Sequence, residues 1–241
     1  MPYHKTSLKT MFGAMDQTCL VMIDRSMWFG QTFQALNDDE FQILLRRYPV
    51  LRNGDKDFRE PLRYAFSYAQ RVFLCSAIET CLVYHYANSA ALFIQRCPDQ
   101  ISRLTNLLQF LKKRKWYGVK TLDDWIGLDW DLRLTHLREI QFSRLPVASR
   151  FFDDIYGVGW FDSVWGADAH ATISARYSDY QDLRNGILHR GGETNSGDHI
   201  SADGRGFESV FNDALAFRDA ILTLSRRCYD WWRNDGPSAG H

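Results

Sequence analysis

The sequence predicts an all-α bundle. Apolar residues recur at helical spacing over most of the chain. Prolines and glycines fall between those stretches, and no stretch shows the strict alternation of a half-buried strand. Two helices are expected first, over about 14–36 and 38–48, the second opened by the acidic turn "NDDE". Pro49 and "RNGDKDFREP" interrupt the chain. A long helix then runs from Pro61 to about Arg96, with proline in a first turn that needs no N–H. Pro98 opens the next, over 98–114, where Ile101, Leu104, Leu107, Leu108 and Leu111 build one apolar face. Thr121 with Asp124 reads as a capping box for a helix reaching about Leu145. Beyond Pro146 come a short helix at 148–156, a Gly/Trp-rich loop "GVGWFDSVWG", and a helix over 168–189. A polar loop at 190–206 and a last helix at 207–233 follow. Residues 1–60 read as an N-terminal elaboration, 61–235 as the main helical domain and 236–241 as a tail.

Composition narrows the function classes. The 241 residues include 29 basic and 29 acidic side chains, so global charge announces no nucleic-acid partner, although a local patch can still bind one. The cysteines (Cys19, Cys75, Cys81, Cys97, Cys228) form no C-x-x-C pair and sit in apolar helical patterns, which suggests a reduced, cytoplasmic chain. No secretory leader pattern opens the sequence. The most apolar run, 73–94, contains Glu79, His85 and Asn88, and so reads as a core helix rather than a membrane span.

The stretch that invites chemistry is "DLRNGILHRGG", residues 182–192. On a helix Arg184 and His189 lie roughly 140° apart, whereas Asn185 and His189, four apart, share a face. Arginine's long stem can still bring its head toward the histidine. Gly191 and Gly192 offer a left-handed stop, placing His189 at a helix end whose free carbonyls favour imidazolium. A titratable imidazole beside a permanent cation suits phosphate chemistry, one group moving a proton while the other stabilises negative charge. A plain reading of the pattern stands beside that one: a solvated face, a histidine capping carbonyls, and glycines that end a helix.

R-N-x-x-x-H in a helix of an all-α chain, followed by another helix, resembles the HEPN superfamily (higher eukaryotes and prokaryotes nucleotide-binding). Its ribonuclease branch carries R-x(4–6)-H, commonly with a polar residue after the arginine. Arg184, Asn185 and His189 match those positions, and the similarity is clearest over about 168–232. The resemblance implies a HEPN-like helical bundle with extra N-terminal helices. It also implies a metal-independent RNA endonuclease that acts as a toxin or antiviral effector. Such domains pair their motif helices across a two-fold axis, so the expected partners are RNA, a second copy of the chain, and an antitoxin or regulatory protein. His189 would transfer protons, Arg184 would stabilise the phosphate, and Asn185 would orient one of them. The alternative from the same resemblance is a module that binds nucleotide, RNA or protein without cleaving. Gly186 departs from a good helix interior, costing roughly 1 kcal/mol.

Other features are weaker. Lys112, Lys113, Arg114 and Lys115, beside Trp116 and Tyr117, are either an RNA contact or a basic last turn that complements a helix dipole. Arg190 is a further candidate RNA contact. Glu79 is a lone carboxylate in an apolar helix, a candidate ion-pair partner that would hold Arg184 from behind, or a solvent-facing group. No histidine or cysteine spacing fits a metal site, and no phosphate-cradling glycine motif or nucleophile elbow is present, so no cofactor is expected.

Overall fold

The computed structural model describes residues 7–35, 38–47, 59–113, 119–140, 142, 144–190 and 207–235. The fold is all-α, and no strand occurs among the described residues. The helices are α1 (Leu8–Ala35), α2 (Asp38–Arg47), α3 (Arg59–Arg96), α4 (Thr105–Lys113), α5 (Leu122–Gly127), α6 (Trp130–Arg138), α7 (Leu145–Tyr156), α8 (Trp160–Trp165), α9 (Ala167–Arg190) and α10 (Phe207–Asp230). A 3-10 turn (Pro98–Arg103) precedes α4, and a π-helical turn (Trp231–Asp235) follows α10. None of the described helices is long and apolar enough to cross a membrane.

The helix expected over 98–114 opens instead as a 3-10 turn over Pro98–Arg103, and its α-helix starts at Thr105. Two further places depart from expectation. The single helix expected over 121–145 is divided. Thr121 does form the capping box, its hydroxyl accepting from the Asp124 N–H while the Asp124 carboxylate accepts from the Thr121 N–H. That helix stops at Gly127, the weakest helix former in the stretch, and Leu128 and Asp129 turn extended before α6 starts. Pro146 then sits in the first turn of α7, where its missing N–H costs nothing but bars a continuous helix through it. The second departure is α8, which lies inside the expected Gly/Trp loop. Trp160, Phe161, Val164 and Trp165 have helical spacing, and Phe161 and Val164 are buried. Gly159, at φ 78°, makes the left-handed entry, and the Asp153 carboxylate accepts the Trp160 N–H.

Packing divides the chain into two compact units, each assembled from separate stretches. The first comprises Met1–Cys19, Ile78–Ser178 and Asp219–His241. Its core is aromatic. Tyr86 of α3 packs against Phe142, Phe151 and Phe152 with ring centroids 5.4, 5.3 and 5.8 Å away, and Phe152 continues to Phe161 at 5.1 Å. Tyr156 stacks on Trp160 at 4.4 Å. Its hydroxyl is buried and satisfied, 2.6 Å from the Ser89 hydroxyl and accepting from the Trp232 indole N–H at 3.0 Å. Asp154 of α7 ties down the start of α4, accepting from the Thr105 hydroxyl and from the backbone and side-chain amides of Asn106. Arg133 lies over the rings of Trp125 and Trp130. Trp125 and Trp232 are buried, Trp130, Trp160, Trp165 and Trp231 are half-buried, and Trp28, in the other unit, is exposed.

The second unit comprises Leu20–Ala77 and Asp179–Arg218. Ile23 and Met27 of α1, Leu74 and Cys75 of α3, and Val210, Ala214 and Phe217 of α10 are buried in it. Tyr180 of α9 meets the Phe217 ring edge-on at 5.9 Å.

Removing only the Tyr156 hydroxyl leaves Ser89 and the Trp232 indole without their buried partner. Tyr156→Phe is expected to lower the unfolding free energy by about 1–3 kcal/mol with the helical content unchanged. Urea unfolding followed by circular dichroism measures it, and an unchanged midpoint would remove the hydroxyl from the account of stability.

Candidate functional site

The motif residues occupy the last two turns of α9, which ends at Arg190. The helix has two distinct faces here. Tyr177, Tyr180 and Gln181 are buried, and Arg184 continues that row at helical spacing. Ser178, Asp179, Asp182 and Asn185 are exposed. Arg184 is therefore half-buried, with its Nε shielded from solvent, and is not the purely surface-reaching cation its charge suggests. Asn185 stands on the open face. Position 189 follows Asn185 by one helical turn. The side chains of His189 and Arg190, the glycines 191 and 192, and the loop 191–206 lie outside the described residues.

The neighbouring helix supplies a carboxylate that the sequence did not single out. Asp213 of α10 is buried and accepts a 2.8 Å hydrogen bond from the Tyr180 hydroxyl. Tyr180 lies four residues before Arg184, on the same row of α9. The bond therefore ties α9 to α10 one turn ahead of the motif. Sequence could have suggested it only through Tyr180 standing at helical spacing from Arg184. That Asp213 faces it depends on how α10 returns.

Of the remaining candidates, Lys112 and Lys113 are exposed in the last turn of α4, where they complement the carbonyl end of that helix. Arg114 and Lys115 lie outside the described residues. Glu79 is half-buried on α3. Among the described residues, no group of three His, Cys, Asp or Glu side chains is arranged to hold a metal ion.

The chain matches no protein-family model, no curated protein and no solved structure. The chemistry available to α9 therefore rests on its own residues. Arg184 supplies a half-buried cation, Asn185 an accessible amide, and residue 189 an imidazole at a helix end. A cation with a restrained stem loses less freedom when it binds an oxyanion than one waving in solvent.

Tyr180→Phe keeps the ring packing and deletes the donor to Asp213. The expected result is a loss of about 1–3 kcal/mol in stability, from one buried hydrogen bond to a carboxylate. Hydrogen exchange should quicken in the second half of α9. Unchanged protection there would show that the bond does not hold the motif helix.

Proposed function

We propose that this protein is a metal-independent RNA endonuclease of the HEPN kind, working as a toxin or defence effector. The observation that supports the reading is the placement of Arg184, Asn185 and position 189 in the last two turns of a long helix, packed by the helix that follows it. The reaction is attack of a ribose 2′-hydroxyl on the adjacent phosphorus, expelling the 5′-oxygen and leaving a cyclic phosphate. One imidazole takes the proton from the 2′-hydroxyl, and another returns one to the leaving oxygen. Arg184 compensates the charge that accumulates on the non-bridging oxygens. Asn185, on the open face, orients the imidazole or the phosphate. Both proton transfers use His189, so the site needs two copies. A homodimer through the motif helices brings them together about a two-fold axis. Lys112, Lys113, Arg114, Lys115 and Arg190 would add non-specific attraction for the RNA backbone. A chain of this kind is kept in check by an antitoxin or regulatory protein.

His189→Ala should reduce cleavage of total RNA by about 10²–10⁴-fold, because a positioned acid–base group acts mainly on the transition state. RNA binding should fall much less. Arg184→Lys is the better arginine test, since Arg184→Ala also removes a half-buried stem. Loss of the planar guanidinium should cost about 10²-fold or more if it holds the phosphorane. EDTA should leave the rate unchanged. A folded His189→Ala protein that cleaves at the wild-type rate would overturn the mechanism, and RNA binding with no cleavage by wild type would favour a binding module.

The composite site makes a separate claim about assembly. Light scattering should show a dimer at micromolar concentration. Mixing inactive His189→Ala protein into wild type should depress activity more steeply than dilution alone. Activity from a strict monomer would contradict the shared site.

A further inference from the structure

The first unit carries a row of exposed cations where α4 lies against α7. The Arg103 guanidinium, just ahead of α4, donates to the Ile155 carbonyl at 3.4 Å. The Asn106 amide donates to the Arg150 carbonyl at 3.1 Å and to the Asp154 carboxylate at 2.9 Å. Residue numbers thus rise along α4 as they fall along α7, and the two helices run antiparallel. Carried forward at that register, Lys113 at the end of α4 comes level with Arg144 and Leu145 at the start of α7. The seam spans about 15 Å from Arg103 to Lys113. Arg103, Lys112, Lys113, Arg144 and Arg150 are all exposed.

Few carboxylates answer these cations. Helix α4 has none, α7 has Asp153 and Asp154, and Asp99 lies in the turn before α4. Both oxygens of Asp154 are spent on Thr105 and Asn106, and one oxygen of Asp153 accepts the Trp160 N–H. Among the described residues none of the five cations forms an ion pair. Arg150 is steadied by its Nε, which donates to the Pro146 carbonyl at 3.3 Å and leaves the two terminal nitrogens to other acceptors. Phe110, one turn beyond Asn106 on the same side of α4, is half-exposed.

We propose that the α4–α7 seam is a binding track for a single-stranded nucleic acid, with Arg103, Lys112, Lys113, Arg144 and Arg150 on the phosphates and Phe110 against a base. Unneutralised cations in a row bind a polyanion by releasing its counterions. The row is long and narrow, the footprint of a strand and not of a single phosphate group. A ring among the cations adds stacking, which an unpaired base can use and a base inside a duplex cannot. Neither helix exposes a large apolar side chain that would enter a bilayer, so an anionic membrane fits the seam less well. The inference extends the RNA attraction given above to Lys112 and Lys113, and rests on that reading only for the identity of the natural strand. The seam meets phosphates and base faces, not the 2′-hydroxyl, so a DNA strand is bound as well.

Fluorescence anisotropy of labelled oligothymidine and oligouridine, titrated with the full chain, is the test. Oligothymidine lacks the 2′-hydroxyl and cannot be cut by the proposed reaction, so its binding is read whether or not the chain is a nuclease. Both strands should bind, with the logarithm of the binding constant falling against that of salt at a slope of about −3. Combining Lys112→Gln, Lys113→Gln, Arg144→Gln and Arg150→Gln should weaken binding about tenfold or more at about 50 mM salt and flatten the slope. These side chains are exposed, so the helical content should not change. Phe110→Leu keeps the apolar packing and should cost about fivefold with the slope unchanged. Three results overturn the proposal: no binding of either strand at low salt, a folded four-residue variant that binds like wild type, or sedimentation with phosphatidylserine vesicles in place of strand binding. Unchanged affinity in the Phe110→Leu protein overturns the role given to the ring.

Discussion

A helix buried over most of its surface constrains the first unit. From Ile78 to Phe93, α3 shields Cys81, Leu82, Val83, His85, Tyr86, Ala87, Asn88, Ser89 and Ala90 in near-continuous succession. At 1.5 Å per residue the whole helix is about 57 Å long, too long for one face of a small bundle to cover. A helix apolar on only one face needs one neighbour, whereas one hidden all round must be enclosed. Helix α7 supplies one wall, with Phe151 and Phe152 on Tyr86 and Tyr156 on Ser89, and α1 another, with Phe12 beside His85 and Met15 beside Asn88. Bends on either side of α7, at extended Leu128 and Asp129 and at left-handed Gly159, let a chain of small pieces wrap where one straight helix would pass tangentially. Aromatic rings fill the space between those pieces, because each covers a large area while ordering few torsions.

Enclosure also creates a polar problem that the same helix solves only in part. Ser89, Asn88 and His85 are buried within it, and each needs a partner. Ser89 finds the Tyr156 hydroxyl, and the Asn88 amide donates to the Tyr84 carbonyl one turn back. The helix leaves the third unsolved: both ring nitrogens of His85 are buried with no hydrogen-bond partner, and its ring lies 6.4 Å from that of Phe12.

Much of the fold was legible because helical period and proline punctuation agree. The ends of α3 and α9 and the capping box at Thr121 follow from residues within one turn of each boundary. The break after Gly127 was not, since Leu128 and Asp129 carry no strong stop signal and the apolar spacing resumes beyond them. Helix α8 was hidden because three glycines in ten residues read as loop, although two of them only enter and leave the helix. For the site, Arg184 and Asn185 were readable as a motif, but not the division of labour between faces. Arg184 falls on the packed row with Tyr180, and Asn185 on the open one. The Tyr180–Asp213 bond joins residues 33 positions apart. Each half shows only as an ordinary residue of its helix, and nothing local to either half predicts the other.

The polar content of the α9 and α10 packing face carries a further implication. Tyr180, Gln181, Asp213 and, in part, Arg184 are polar side chains in buried places. Replacing buried polar or ionic groups with well-packed apolar residues is often neutral or stabilising by about 1–4 kcal/mol. A row selected for stability alone would have drifted toward apolar residues. A hydroxyl–carboxylate bond is directional, whereas apolar packing tolerates small slides and rotations of one helix on another. For a site assembled from two copies, a rotation of α9 by even one residue's share of a turn would carry Asn185 off the open face and misplace Arg184. Orientation, not affinity between helices, is what such a site most needs to keep, and a buried polar bond one turn ahead of the motif supplies it.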